Sequence, residues 1–126
     1  MKYAINGMGI PEAIGPYSQG TTAGRLVFAS GQVAYDPEDS TKLVGSTVAE
    51  QTERTISVIE CILAEVDCTL SDVAQTTVYL VDINDMEEMN EVYARRFPQP
   101  APARAVVAVS ALPMGALVEM DCVACR

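Results

Sequence analysis

Two charged residues interrupt apolar runs that otherwise have the pattern of strands, and these residues are the ones best suited to chemistry. Arg104 opens the run 104–109, and Glu119 lies within the run 117–123. An arginine offers a planar set of donors that matches a carboxylate in two-point geometry. A glutamate can hold and polarise a water molecule. The two side chains together could bind an anionic substrate and hydrolyse it.

The alternation of the last apolar run decides where its acidic residues lie. Glu119 and Asp121 share one face of a strand, and the opposite face carries apolar side chains: Val118, Met120, Cys122 and Ala124. A desolvated, unpaired ion costs several kcal/mol, so each charge is solvated, paired or reserved for a ligand. Two alternatives stay open from the residues alone. Arg104 and Glu119 form an ion pair that closes the sheet face, or Arg104 binds a substrate carboxylate while Glu119 positions a water.

The composition excludes several other kinds of chemistry. None of the 126 residues is a histidine, which removes His-based catalytic triads, imidazole metal sites and the usual proton-transfer group at neutral pH. The chain has 8 Lys+Arg against 17 Asp+Glu, a net charge of −9. Binding of nucleic acid rests largely on cations that neutralise phosphates, so a nucleic-acid partner is disfavoured.

The four cysteines do not form a recognisable metal or redox motif. Cys122 and Cys125 have C-x-x-C spacing, but Cys61 and Cys68 are too far apart to complete a zinc site. A redox C-x-x-C normally opens a helix, whereas this one ends a run with strand character. We therefore expect free thiols that pack as small hydrophobic side chains, and no metal ion.

Length and composition indicate one domain that spans residues 1–126. Hydrophobic residues make up 49% of the chain, which is enough to build a core without disulfides, and no linker or repeat divides it. No window approaches the roughly 18 consecutive apolar residues of a membrane-spanning helix. The first residues lack the apolar stretch of a signal peptide, so we expect a cytoplasmic protein with no membrane partner.

The periodicity of apolar residues alternates between about two and about 3.6, as in α+β proteins. The capping box of Thr47 and Glu50 opens a predicted helix over 48–66, and a second helix is predicted from 84–86 to 97, where Pro98 ends it. The Met and aromatic stripe of that helix is interpreted as core. Strands are predicted at 26–29, 32–34, 73–81, 104–110 and 117–124, with a bend at Gly31 and a turn-rich segment over the first 20 residues. This order predicts a mixed sheet with two helices packed on one face.

Several motifs in this order resemble the RidA/YjgF family of enamine/imine deaminases. They span nearly the whole chain: Ala13–Gly20 with its G-P-Y-S-Q, Ala29–Val33 with its S-G-Q, Thr76–Leu80 followed by Met89-Asn90, Pro102-Ala103-Arg104, Leu112-Pro113 and Val118-Glu119. The resemblance implies a chorismate-mutase-like α+β fold. It also implies a homotrimer in which the sheets form a central barrel and three clefts lie between neighbouring subunits.

The resemblance also implies a site and a reaction. Arg104 would bind the substrate carboxylate and Glu119 would position the hydrolytic water, while the cleft would be lined by Tyr17, Ser30, Gly31, the backbone carbonyl of Val106 and Asn90. An alternative of equal weight is that Asn90 is a hydrogen-bonding residue of the helix surface or of an interface. The implied reaction converts 2-aminoacrylate, 2-iminopropionate and related 2-imino acids to 2-keto acids and ammonia without a cofactor. The alternatives are an endoribonuclease or translation inhibitor, and a trimer that binds 2-keto acids without turnover.

Two departures from the family pattern affect the rim of the cleft. Ala105 and Val106 follow the arginine, where relatives often have Ser or Thr and then Cys. The proline-rich segment 98–103 is shorter than in many relatives. We expect these differences to bear on which imino acid is preferred, which the sequence leaves open.

Overall fold

Two helices pack on one face of a six-stranded sheet, as the sequence predicts. The structure is a computed structural model that describes residues 1–126. Its elements in chain order are β1 (Lys2–Ala4), β2 (Gly20–Ala23), β3 (Leu26–Gln32), β4 (Tyr35–Asp36), β5 (Asp39–Leu43), α1 (Val48–Ala64), β6 (Val73–Leu80), α2 (Met86–Arg96), β7 (Ala103–Ala108) and β8 (Val118–Cys125). Neither helix combines the length and the apolar composition needed to cross a membrane.

The sheet is mixed, and its strand order places the late strands at its centre. The order is β1-β2-β3-β8-β6-β7, and every neighbouring pair is antiparallel except β6 and β7, which run parallel and are connected through α2. A separate two-stranded hairpin is formed by β4 and β5. The predicted alternation in β6 is confirmed, because Thr76, Val78 and Leu80 are fully buried toward the helices. Parallel neighbours such as β6 and β7 require a crossover connection, which α2 provides.

Helix α1 begins at the predicted capping box and supplies much of the core. Thr47 Oγ1 accepts from the backbone N–H of Glu50 at 3.1 Å, and Glu50 Oε1 accepts from that of Thr47 at 3.2 Å. The helix ends at Ala64, two residues before the predicted end. Its inward side chains are fully buried against the sheet: Ile56, Ile59, Ile62 and Leu63.

Helix α2 begins later than the Asn84-Asp85 pattern predicts. The chain first makes a single 3-10 turn over Ile83–Asp85, in which Asp82 Oδ1 accepts from the backbone N–H of Asn84 at 2.9 Å. Asp85 makes no side-chain capping bond, and the α-helix starts at Met86. The interpretation of the stripe as core is confirmed for Met89, which is fully buried.

The first third of the chain contains more strand than the sequence predicts. Instead of the separate strands predicted at 26–29 and 32–34, one strand, β3, runs to Gln32 and leaves residues 33–34 outside it. Its register shifts between Ala29 and Gln32, at the expected bend. Strand β1 lies within the segment predicted to be turns, β2 begins at the last residue of that segment, and neither β2 nor the β4–β5 hairpin was predicted. These strands are short and polar, and their pairing partners define them more than their own composition does.

The second face of the sheet has no helix over it. Leu26, Phe28 and Val107 lie on this face and are 38–44% exposed. Phe28 of β3 pairs with Val123 of β8, and Val107 of β7 pairs with Tyr79 of β6. The single chain therefore presents an apolar sheet surface, which we call the open face.

Candidate functional site

The register of the sheet places Arg104 and Glu119 on opposite faces. Arg104 pairs with Thr76, which pairs with Cys122, and the last two are buried toward the helices. Glu119 pairs with Tyr79 on the open face. Paired residues project to the same side of a sheet, so the ion pair between Arg104 and Glu119, one of the two alternatives from sequence, is wrong within one chain.

The guanidinium of Arg104 is held by two residues of α2. Its Nη1 donates to Asn90 Oδ1 at 2.7 Å, and its Cζ lies 4.7 Å from the centre of the Tyr93 ring, a cation–π distance. Tyr93 is held in turn, because its hydroxyl is 2.7 Å from Thr76 Oγ1 and its ring packs on Phe97. The Nε and Nη2 of Arg104 have no protein acceptor, so a donor pair of fixed orientation remains free for a carboxylate.

A cavity of about 370 Å³ lies beside this guanidinium, and we call it the arginine cavity. Its wall is formed by one side of α2 and by the proline-rich segment before β7: Asn90, Tyr93, Ala94, Phe97, Gln99, Ala101, Pro102 and Arg104. Gln99, Ala101 and Pro102 of the segment 98–103 thus form part of the rim. Asn90 lies in this wall and contacts Arg104 directly.

Glu119 lies in a different cavity, of about 390 Å³, which we call the glutamate cavity. Four residues that the sequence assigns to one site meet here: Tyr17, Ser30, Gly31 and Glu119. The remaining lining residues are Ile14, Tyr35, Pro113 and Met114. The resemblance placed the first four in one cleft, and the fold brings them together from the turn-rich segment, β3 and β8.

The carboxylate of Glu119 lies directly over Gly31. A Cβ added at Gly31 would be 2.7 Å from Glu119 Oε2 and 2.9 Å from its Cδ, closer than real Cβ contacts. Burial raises the pKa of Glu119, and the nearby negative charge of Asp121 raises it further. Asp121 itself accepts a hydrogen bond from the Tyr79 hydroxyl at 2.8 Å. Glu119 is therefore a half-buried carboxyl whose charge no cation of the same chain balances.

Hydrogen bonds tie the segment that carries Tyr17 to strand β3. Ser30 Oγ donates to the carbonyl of Ser18 at 2.6 Å, and its backbone N–H donates to that of Gln19 at 2.9 Å. Gln32 Nε2 donates to Gln19 Oε1 at 2.7 Å and to the carbonyl of Ser30 at 3.1 Å. The Ser30 hydroxyl is thus occupied as a donor and can still accept from a ligand. Gln19 and Gln32, both within the quoted motifs, were not identified as positioning residues from sequence.

Two tyrosines near the site are also not identified as site residues by the sequence. Tyr93 was assigned only to the core stripe, although its ring supports Arg104. Tyr35 lies three residues after Gln32 and carries no motif signal, yet it is buried in the wall of the glutamate cavity. Only the β4–β5 hairpin, which the sequence did not reveal, brings it there.

Val106 lies outside both cavities. Its side chain packs against the core, while the predicted contact concerns its backbone carbonyl, which stays a prediction. Strand β7 is the outer strand of the sheet, so one edge of its backbone is unpaired.

No group of three or more Cys, Asp or Glu side chains is arranged to hold a metal ion. The four cysteines are free thiols.

Comparison with known proteins gives consistent matches over most of the chain. The family model described as endoribonuclease L-PSP matches residues 9–126. A RutC family protein of Pyrococcus abyssi is 46% identical over 114 residues, 90% of this chain and 89% of that protein. The human 2-iminobutanoate/2-iminopropanoate deaminase is 42% identical over 114 residues, 90% of this chain and 82% of that protein. The crystal structure of E. coli TdcF with bound serine superposes with a TM-score of 0.91 at 30% identity and covers 98% of both chains.

Proposed function

The chain belongs to the RidA/YjgF family, the family of the endoribonuclease L-PSP model, and on this premise we propose that it is a hydrolytic deaminase of 2-imino acids. Its substrates would be 2-iminopropionate, the tautomer of 2-aminoacrylate, and related 2-imino acids, which it would convert to 2-keto acids and ammonia. The observation that carries the proposal is a free two-point donor on Arg104 together with a half-buried, unbalanced carboxylate on Glu119. The similar TdcF structure contains serine, which presents a carboxylate of the kind that such an arginine binds.

The two halves of this site require a second copy of the chain. Within one chain, sheet parity separates the arginine cavity from the glutamate cavity. The open face carries exposed Leu26, Phe28 and Val107, an apolar surface of the kind that marks an association site. Arg104 lies on the outer strand β7, at the margin where a neighbour can approach. We infer a homotrimer whose clefts combine Arg104 of one copy with Glu119 of the next.

The proposed reaction begins with binding of the substrate carboxylate by Nε and Nη2 of Arg104, while Asn90 and Tyr93 keep the guanidinium from rotating. This orientation presents the carbon of the C=N bond to a water held by Glu119. Attack of the water forms the C–O bond, its proton passes to Glu119, and the π electron pair moves to nitrogen. The resulting carbinolamine loses ammonia and leaves the 2-keto acid.

Positioning supplies much of the rate enhancement in this scheme. An iminium carbon is already electrophilic, so the protein needs no strong base, and the absence of histidine is no obstacle. Holding the reacting atoms in line contributes on the order of several kcal/mol to the barrier reduction. The raised pKa of Glu119 makes it a better proton acceptor than an exposed glutamate.

The proposal is tested by competition between the protein and a chemical trap. 2-Aminoacrylate is generated in situ from serine by a pyridoxal-phosphate lyase in the presence of semicarbazide, which captures the imine. Added protein should reduce the semicarbazone signal. Arg104→Ala should abolish this effect, and Glu119→Gln should lower it by about 10²-fold. Arg104→Lys keeps the charge but loses the planar fork, and it should also be strongly impaired.

Matched controls separate site effects from general effects of charge. Arg95 is 64% exposed and pairs only with Glu53 at the surface, and Glu88 is an exposed residue of α2. Arg95→Ala and Glu88→Gln should retain the wild-type rate. A wild-type rate equal to the buffer blank over a panel of imino acids would refute the deaminase.

The family model also carries the name of an endoribonuclease, and this alternative has its own test. A net charge of −9, two Phe and no Trp provide neither a phosphate track nor a stacking platform. RNA degradation that co-purifies with the oligomer through ion exchange would support it. Binding of pyruvate by a protein without turnover would instead support a keto-acid-binding trimer.

A further inference from the structure

Tyr35 occupies the wall of the glutamate cavity in a fixed position. The residue is 9% exposed and belongs to the hydrophobic core cluster. Its backbone is anchored on both sides, because its N–H donates to the carbonyl of Val33 at 2.8 Å and its carbonyl accepts from Arg54 Nε at 2.6 Å. The side chain lines the same cavity as Glu119 and Tyr17. Its ring is therefore held by packing at the wall of this cavity, beside Glu119 and Tyr17.

The Tyr35 hydroxyl differs from those of the other tyrosines that pack on the sheet. The hydroxyl of Tyr79 is bound to Asp121 at 2.8 Å, and that of Tyr93 is bound to Thr76 at 2.7 Å. The Tyr35 hydroxyl makes no comparably short hydrogen bond, and its polar neighbours in the cavity are Tyr17 and Glu119. Burial raises the pKa of this phenol, and the charges of Tyr17 and Glu119, followed by a weak hydrogen bond to Tyr17, raise it further. It thus stays protonated at neutral pH, and a ligand in the cavity can replace Tyr17 as the acceptor of its proton.

The proposed deamination has a step that requires such a donor. After water has added to the iminium carbon, Glu119 holds the proton and the nitrogen is a neutral amine, which is a poor leaving group until it is protonated. Glu119 occupies the side of the carbon from which water attacks. A second group that can reach the nitrogen would let the proton cross the cavity.

We propose that the Tyr35 hydroxyl is a further catalytic group of the glutamate cavity, which donates the proton that allows the substrate nitrogen to leave as ammonia. The inference rests on the proposed function. Tyr35 gives its proton to the nitrogen and takes up the proton held by Glu119, so that its own charge is unchanged. The C–N bond then breaks and its electron pair leaves with ammonia. The carbinol O–H proton passes to Glu119 as the C=O bond forms, and ammonia finally removes it as ammonium.

The test compares turnover with binding in Tyr35→Phe, which removes one oxygen atom and keeps the buried ring. In the semicarbazide competition assay the variant should lose about 10²-fold in kcat, the range of general acid catalysis. The dissociation constant for pyruvate, followed by NMR titration, should change by less than about threefold, because Arg104 and its carboxylate contact are intact. The remaining activity should rise with the concentration of an acidic buffer component, since a small acid replaces the lost proton donor. The wild type should show no such dependence on buffer.

Tyr3→Phe is the matched control, because Tyr3 is 64% exposed on β1 and lines neither cavity, and it should behave as the wild type. An unchanged kcat in Tyr35→Phe would refute the inference. So would a parallel loss of pyruvate binding and turnover, since that would make Tyr35 a binding contact only. A wild-type protein without turnover would refute the deaminase itself, and this outcome is visible before any substitution is compared.

Discussion

Mixing two impaired variants tests whether each cleft takes its two charged residues from different copies. Arg104→Ala lacks the carboxylate-binding group and keeps Glu119, whereas Glu119→Gln has the opposite defect. By itself, the Arg104→Ala oligomer should be inactive and the Glu119→Gln oligomer should keep about a hundredth of the wild-type activity. In a mixed trimer, a cleft between an intact Arg104 and an intact Glu119 forms wherever the two variants are neighbours in the correct direction, so activity should return.

The expected recovery follows from the symmetry of a closed ring. In a cyclic trimer each cleft uses Arg104 of one copy and Glu119 of the next, so any trimer that contains both variants has one complete cleft. Its activity should be about a third of the wild-type value, and random mixing at equal amounts should give about a quarter overall. Sheet parity is the reason for this expectation, because it places the two residues on opposite faces of one chain.

The experiment uses co-expression of the two variants with different affinity tags and two successive affinity steps. Each mixed sample is assayed in the semicarbazide competition. Light scattering checks the mass, which should be about 40 kDa for three copies of 13.5 kDa. The companion experiment mixes the wild type with a variant that carries both substitutions, at equal amounts and without affinity selection of mixed trimers. Clefts between chains should then give about a quarter of the wild-type activity, whereas clefts within chains would give about half.

The result that refutes the reasoning is a mixed trimer without activity. A monomer in light scattering with full activity would also contradict it, because one chain would then contain a complete site. Neither result is compatible with Arg104 and Glu119 on opposite faces of the sheet acting on one small substrate.

Three further predictions concern the surroundings of the two charged residues. Gly31→Ala should displace the Glu119 carboxylate, because the added Cβ would lie 2.7 Å from it. Turnover in the competition assay should fall about tenfold with little change in pyruvate binding. An unchanged rate would mean that the carboxylate has room to move. The pKa of Glu119 is raised and the group acts in its ionised form, so activity should fall as pH drops through a value above 4.5. Asp121→Asn removes a charge that raises this pKa, so the acid limb of the pH profile should move to lower pH. An upward shift of that limb would contradict the assignment. Tyr93→Leu should weaken pyruvate binding about 2- to 5-fold, since the exposed guanidinium of Arg104 loses its cation–π contact. Unchanged binding would show that Tyr93 is not needed to hold the guanidinium.

The sequence determined the class of fold and most of the central elements. Apolar residues at helical spacing after the Thr47 capping box, and alternation along β6 and β8, follow from local chemistry and therefore can be read from composition and order. The same alternation placed Glu119 opposite the apolar side of β8. The motifs also identified six of the residues that line the two cavities, namely Tyr17, Ser30, Gly31, Asn90, Arg104 and Glu119.

Only the tertiary structure decided how those residues relate to one another. Register between strands far apart in the chain fixes which face each side chain takes, and a shift of one residue would reverse it, so the separation of Arg104 from Glu119 could not be predicted. Strands β1, β2, β4 and β5 are defined by their partners, and with the last two comes Tyr35 in the wall of the glutamate cavity. Local pattern thus specified which residues carry the chemistry, whereas pairing over long sequence distances specified that the two halves of the site lie on opposite sides of the sheet.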